Sequence, residues 1–205
     1  MHETAEDCLL DRPPRHQPAT ERERAAMAAA WDACAQIRAT ARTVHPEAIV
    51  ADPESLTAGT ADLIAIRRSD SRIVILDWKT SARIDAASRF GNARALPPYA
   101  HLPDCNLVHY ALQLAIYAWI IRNAGYMVDV VAVELVIAHI APDKSDVDWI
   151  APPDLSSEAD DIMRRRRADA QRWLGTLKRC QDADDADVEA DRLAAEAQNA
   201  PENRF

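Results

Sequence analysis

The stretch from Asn106 to Asn123 constrains the fold more than any other part of the chain. Leu107, Val108, Ala111, Leu112, Leu114, Ala115, Ile116, Ala118, Trp119, Ile120 and Ile121 leave it apolar on almost every side. A helix of that composition is buried, and Gly125 closes it. His109, Gln113 and Tyr117 recur at i, i+4 and i+8 and draw one polar stripe along it. Buried polar groups need partners. The stripe therefore either faces other polar groups, where it could position a water or a phosphate, or is satisfied locally.

Around this helix the remaining elements fall into order. The first 18 residues hold Pro13, Pro14 and Pro18 among charges and read as a flexible arm. Alanine, glutamate and arginine then dominate a helix from Thr20 to Ala41, with Thr20 as its N-cap. Three short strands follow: Glu47 to Ala51, Thr60 to Ile66 beyond the turn at Asp52-Pro53, and Arg72 to Lys79 beyond the polar turn 67–71. Residues 91–105 form a proline-containing loop, Val128 to Ile140 one long strand or two, and Ser156 to Lys178 a third helix. This order predicts an α/β (α+β) domain over residues 19–180, with a small mixed sheet flanked by helices.

The net charge of −9 is unevenly spread. Residues 181–205 carry eight acidic and two basic groups and read as an acidic, disordered tail, leaving only −3 on residues 1–180. Acidity therefore does not exclude a nucleic-acid partner. No run of 18 apolar residues suggests a membrane span, and the first 20 residues lack the apolar stretch of a secretion signal. Cys8, Cys34, Cys105 and Cys180 are scattered, without a C-x-x-C pair. That spacing predicts neither a disulfide scaffold nor an iron–sulfur cluster, and fits an intracellular setting.

The chemistry is concentrated in Gly59-Thr60-Ala61-Asp62 and Asp77-Trp78-Lys79. If the hairpin turn is centred on Ser69-Asp70, Asp62 lies opposite Asp77, because turn position fixes register. Cross-strand partners have Cβ atoms roughly 4.5–5.5 Å apart, and Lys79 shares the face of Asp77. Two carboxylates placed together repel unless a cation compensates. Lys79 supplies one positive charge, and a divalent ion would supply the rest. Oxygen ligands favour Mg²⁺ or Mn²⁺ over zinc. The plainer alternative is a structural Asp77–Lys79 pair with Asp62 solvated. Glu47 falls within about two residues of Asp62 on the neighbouring strand and is either a third carboxylate or an exposed strand-start glutamate. Arg83, Arg89 and Arg94 follow the segment and are candidates to track a phosphate backbone. Arg164 to Arg167 point all round a helix, which favours pairing with Asp160 and Asp161 over one coherent basic face.

Together, the G-x-x-D segment, Asp77-Trp78-Lys79 and the Gln113-x-x-x-Tyr117 helix resemble the PD-(D/E)XK nuclease superfamily, in particular its RecB-like branch. The stretch Tyr99 to Tyr117 is similar to nuclease-like proteins of large double-stranded DNA viruses and phages. The resemblance covers residues 42 to 141 and implies a restriction-endonuclease-like core. It also implies a Mg²⁺- or Mn²⁺-dependent nuclease acting on DNA, as an exonuclease or as the nuclease part of a recombination, replication or repair system. Within that family Asp62, Asp77 and the Trp78 carbonyl correspond to metal ligands, Lys79 to the residue that positions the attacking water, and Gln113 and Tyr117 to the helix motif. Glu47 matches a glutamate that precedes the G-x-x-D segment in viral members. A helicase or recombination partner, and the cytoplasm or a host nucleus, follow from the same resemblance. One departure stands out: RecB-like members usually carry a histidine on an early helix, whereas the helix from Thr20 to Ala41 has none and His16 lies among prolines. That departure suggests the rival reading, a degenerate nuclease fold serving as a DNA-binding or protein-interaction module.

Overall fold

The computed structural model describes residues 2–89, 91–126, 132–142 and 144–198. Among the described residues, four helices enclose one mixed five-stranded sheet. The elements are α1 (His2–Leu9), α2 (Glu21–Thr40), β1 (Ala41–Asp52), a 3₁₀ turn (Pro53–Ser55), β2 (Thr57–Arg67), β3 (Ile73–Lys79), α3 (Asn106–Asn123), β4 (Val133–His139), β5 (Asp148–Ile150) and α4 (Ser156–Gln198). The strands lie in the order β1-β2-β3-β4-β5. Only the β3–β4 pair is parallel. A parallel pair requires a crossover, and α3 lies within it, which makes the helix part of a β-α-β unit.

The all-round apolar character of α3 now has a cause. Leu114, Ala118 and Ile121 pack toward the sheet with Ile75 and Ile137, while Val108, Ala111 and Ala115 meet Leu102, Leu155 and Ala159 on the other side. α3 is thus sandwiched between the sheet and a layer made by α4 and the preceding loop. On the opposite sheet face, α1 and α2 cover Leu63, Ala65, Leu76, Trp78 and Ala138.

Local chemistry sets the boundaries. Thr20 accepts from the Glu23 amide at 3.1 Å while Glu23 accepts from the Thr20 amide, a complete capping box. Asp52 caps the 3₁₀ turn through the Ser55 amide, and Leu56 leaves it with a left-handed backbone.

Several expectations need correction. The stretch 1–18 is not simply an arm: residues 2–9 form α1, whose Ala5, Cys8 and Leu9 are buried beside Ala33 and Cys34. Buried Asp7 accepts from the Arg15 backbone and guanidinium and so ties the Pro-rich stretch back onto α1. β1 begins at Ala41 rather than Glu47, and β5 is an additional strand. Of the acidic stretch expected to be a disordered tail, residues 181–198 continue α4 as helix, and residues 199–205 lie outside the described residues. Of the strand expected from Val128, residues 128–131 lie outside the described residues, and β4 is seen from Val133. Among the described residues no helix is long and apolar enough to cross a membrane.

Candidate active site

The β2–β3 ladder runs Ile66–Ile73, Ala65–Val74, Ile64–Ile75 and Leu63–Leu76. Asp62 and Asp77 are the next positions in this register. The β1–β2 ladder flanks them with Pro46–Leu63 and Ala48–Ala61, so Glu47 stands level with Asp62, inside the expected two-residue window. Three acidic residues on three neighbouring strands therefore occupy one row across the sheet.

The backbone is irregular along that row. Glu47 has φ 48°, a left-handed conformation uncommon outside glycine. Across from it the pleat loses its alternation: Leu63 packs in the α1/α2 layer, whereas Ala61, two residues earlier, packs in the α3 layer. Regular strand residues two apart share a face, so the switch falls at Asp62. Here the ladder ends, and the Asp62 carboxylate accepts the Trp78 amide at 2.6 Å.

Asp77 is buried at 3% exposure, and Lys79 Nζ lies 2.6 Å from its Oδ2. The ammonium also sits 4.4 Å from the centre of the Tyr110 ring. Lys79 closes β3, opposite His139 of β4. His139 is buried, with Nε2 2.8 Å from the Ser81 carbonyl. A carbonyl only accepts, so that nitrogen carries the proton, and the contact fixes the chain as it leaves Lys79.

Two of the three expected stripe residues come together. Gln113 donates to the Tyr117 hydroxyl at 3.0 Å, and Tyr117 is 9% exposed. The Tyr117 ring lies against Gly59, where an added Cβ would come within 2.7 Å of Cε1. His109 is different: it is exposed and pairs with Asp104 at 2.9 Å. The face turned to the site is instead Tyr110, Gln113 and Tyr117, at i, i+3 and i+7. Sequence reasoning missed Tyr110 and His139; the signal for Tyr110 was the alternative spacing on the same helix.

The arginines are partly committed elsewhere. Arg83 pairs with Asp85 at 2.9 Å and Arg89 pairs with the same carboxylate, while Arg94 donates to the His101 carbonyl at 2.8 Å. Arg164 and Arg165 bridge to Asp160 and Asp161, as their spacing suggests. Arg167 turns inward to Asp52 (2.8 Å) and Glu54 (2.9 Å) and stacks 4.7 Å from the Trp119 ring. Its guanidinium holds the Asp52 carboxyl below the usual carboxylate range.

Among the described residues, no three His, Cys, Asp or Glu side chains stand close enough together to hold an ion. The donor chemistry of the acidic row is nevertheless that of hard oxygen ligands, which suits Mg²⁺ or Mn²⁺.

Comparison with known proteins gives the family. A family model described as PD-(D/E)XK nuclease superfamily matches residues 1–202. Among solved structures, a "Putative exonuclease" from Eubacterium rectale is 16% identical with a TM-score of 0.35, covering 70% of this chain and 53% of that one. The chain thus spans about half the length of that protein. SSO0001 is also 16% identical, with a TM-score of 0.32, covering 83% of this chain and 84% of its own. No curated protein matches the sequence. With the family match running over nearly the whole length, the chain belongs to the PD-(D/E)XK nuclease superfamily.

Proposed function

We propose that the chain is a divalent-metal-dependent nuclease that hydrolyses phosphodiester bonds in DNA, with Asp62, Asp77, Lys79, Gln113 and Tyr117 as its site. One observation carries this reading. Asp62 and Asp77 lie one step beyond the last β2–β3 pair, Leu63–Leu76, with an ammonium 2.6 Å from the buried carboxylate of Asp77. Two carboxylates beside one ammonium at the end of the sheet supply the hard oxygen donors that a divalent ion takes.

Asp62, Asp77 and the Trp78 carbonyl would hold Mg²⁺ or Mn²⁺, with Glu47 a further acidic group level with them in the row. When bound, such an ion lowers the pKa of water and neutralises phosphate charge. The protein's own contribution is placement. Lys79 presents a fixed positive charge to the non-bridging phosphate oxygens and orients the attacking water. Water oxygen bonds to phosphorus, the ester P–O bond breaks, and the departing oxygen takes up a proton. Gln113 and Tyr117 support the G-x-x-D strand from behind through Gly59. Arg94, and the pair Arg83 and Arg89 around Asp85, serve as backbone contacts at the rim.

Within the superfamily we assign the chain to the RecB-like branch, near viral and phage members, on the Gln113-x-x-x-Tyr117 helix. Exonuclease action within recombination, replication or repair, a helicase or recombination partner, and an intracellular setting belong to the same reading. The histidine-free α2 favours the second reading, a degenerate fold that binds DNA or protein without cutting.

Labelled single- and double-stranded DNA, incubated with Mg²⁺, Mn²⁺ or EDTA, separates the two. Metal-dependent cleavage that disappears in Asp77→Ala and Lys79→Ala is the expected result. DNA binding without cleavage, untouched by Asp77→Ala, would establish the binding module instead.

A further inference from the structure

Lys79 ends its strand with a flexible four-carbon stem, and such an ammonium is a mobile point charge unless something confines it. Two groups do so here. Asp77 Oδ2 engages it at 2.6 Å, and the Tyr110 ring centre lies 4.4 Å away, within cation–π range. Tyr110 comes from α3, on the face that also carries Gln113 and Tyr117. That single face therefore reaches from Gly59 on β2 to Lys79 at the end of β3. The Lys79 side chain is only 19% exposed, and a cation–π contact gains strength as water is excluded.

We infer that Tyr110 is a positioning residue: its ring holds the Lys79 ammonium against Asp77. The consequence for turnover rests on the proposed nuclease reading; the holding itself does not. An ammonium has three donors. With the Asp77 carboxylate drawing it on one side and the ring closing a second, the remaining direction is left to substrate or water. Orientation fixed before substrate arrives need not be imposed in the transition state. The attraction comes from the ring face and not from the hydroxyl, so phenylalanine should substitute and leucine should not.

Lysine-selective isotope labelling tests the holding directly, because the chain has three lysines, Lys79, Lys144 and Lys178. Lys79→Arg assigns the Lys79 signal by its loss. In the wild type the Lys79 ε-methylene protons should be displaced upfield of the other two by the ring current, with a higher order parameter than exposed Lys178. Both signatures should persist in Tyr110→Phe, whereas in Tyr110→Leu the displacement should vanish and the order parameter should fall. A Lys79 signal as mobile and undisplaced as that of exposed Lys178 in the wild type overturns the inference, even if Tyr110→Leu fails to fold. The second arm is kinetic, with Mn²⁺ and labelled DNA. Tyr110→Leu should lower kcat about tenfold with KM unchanged, and Tyr110→Phe should restore it. Unchanged kcat in Tyr110→Leu removes the positioning role. A wild type that cuts nothing refutes the nuclease reading, and the spectra alone then decide the role of Tyr110.

Discussion

Gly59 and Tyr117 are in such close contact that the strand residue cannot carry a side chain: a Cβ on Gly59 would fall 2.7 Å from the tyrosine ring. The glycine of the G-x-x-D segment is therefore explained by its neighbour on α3 and not by backbone conformation, since it has no positive φ. Gly59→Ala should destabilise the fold by about 1–3 kcal/mol, the range for overpacking a filled site. Shrinking the partner in Gly59→Ala/Tyr117→Ala should give less than the sum of the single losses. Urea denaturation of the four proteins checks this; strict additivity would refute the contact.

Arg167 supports the buried Asp52 at the hairpin connection. Removing the guanidinium leaves a carboxylate at 1% exposure without that cation. Arg167→Ala should cost about 3 kcal/mol, the low end for breaking a buried pair, because Arg167 is itself a quarter exposed. A shift in the urea midpoint equivalent to less than 1 kcal/mol would mark the pair as a surface bridge.

The same pair sets an acid limb. Arg167 lowers the pKa of folded Asp52, so the native state binds fewer protons than the unfolded chain between the two pKa values. The stabilisation is complete above the unfolded value of about 3.9 and is lost as pH falls through the lower folded value. Unfolding free energies of wild type and Arg167→Met should therefore converge at acid pH. A gap that stays constant from pH 7 to pH 2 would contradict this assignment.

Metal uptake should separate the two halves of the acidic site. Asp77→Asn should abolish Mn²⁺ binding in titration calorimetry. Lys79→Ala should retain binding but lose cleavage by at least about a hundredfold, the scale for removing one preorganised charge from a transition state. Equal Mn²⁺ affinity in wild type and Asp77→Asn would remove Asp77 from the ligand set.

The N-terminal helix offers a further check. Leu9 is 3% exposed within the α1/α2 layer, so Leu9→Ala should cost about 3 kcal/mol. A loose arm would lose almost nothing, and thermal denaturation distinguishes the two.

Legibility in the sequence followed the strength of each local signal. Both ends of α3 could be read because its apolar run is bounded by Cys105-Asn106 and Asn123-Gly125. The β2–β3 register could be read because one short turn fixes it. α1 was obscured by Pro13, Pro14 and Pro18, which follow the helix without entering it. The first half of β1 contains Pro46 and little regular alternation, and β5 has only three residues, too few to show a period. The C-terminal part of α4 is rich in aspartate, a poor helix former, so composition pointed away from helix. Tyr110 was missed for a geometric reason: spacing of four and spacing of three or seven select different strips of one helix, and only packing decides which strip faces the sheet.

The alignment of Glu47, Asp62 and Asp77 has a consequence for how this chain tolerates changes in length. Each pairing is counted outward from a short connection, residues 53–56 on one side and 68–72 on the other. Inserting or deleting a single amino acid in either connection would slide one acidic position past the next and turn it to the wrong side. The long excursion between Lys79 and Asn106 sets no such count. Grafts or trimming there should leave the three-strand alignment intact, which makes that excursion the place where the chain can change length without disturbing the acidic row.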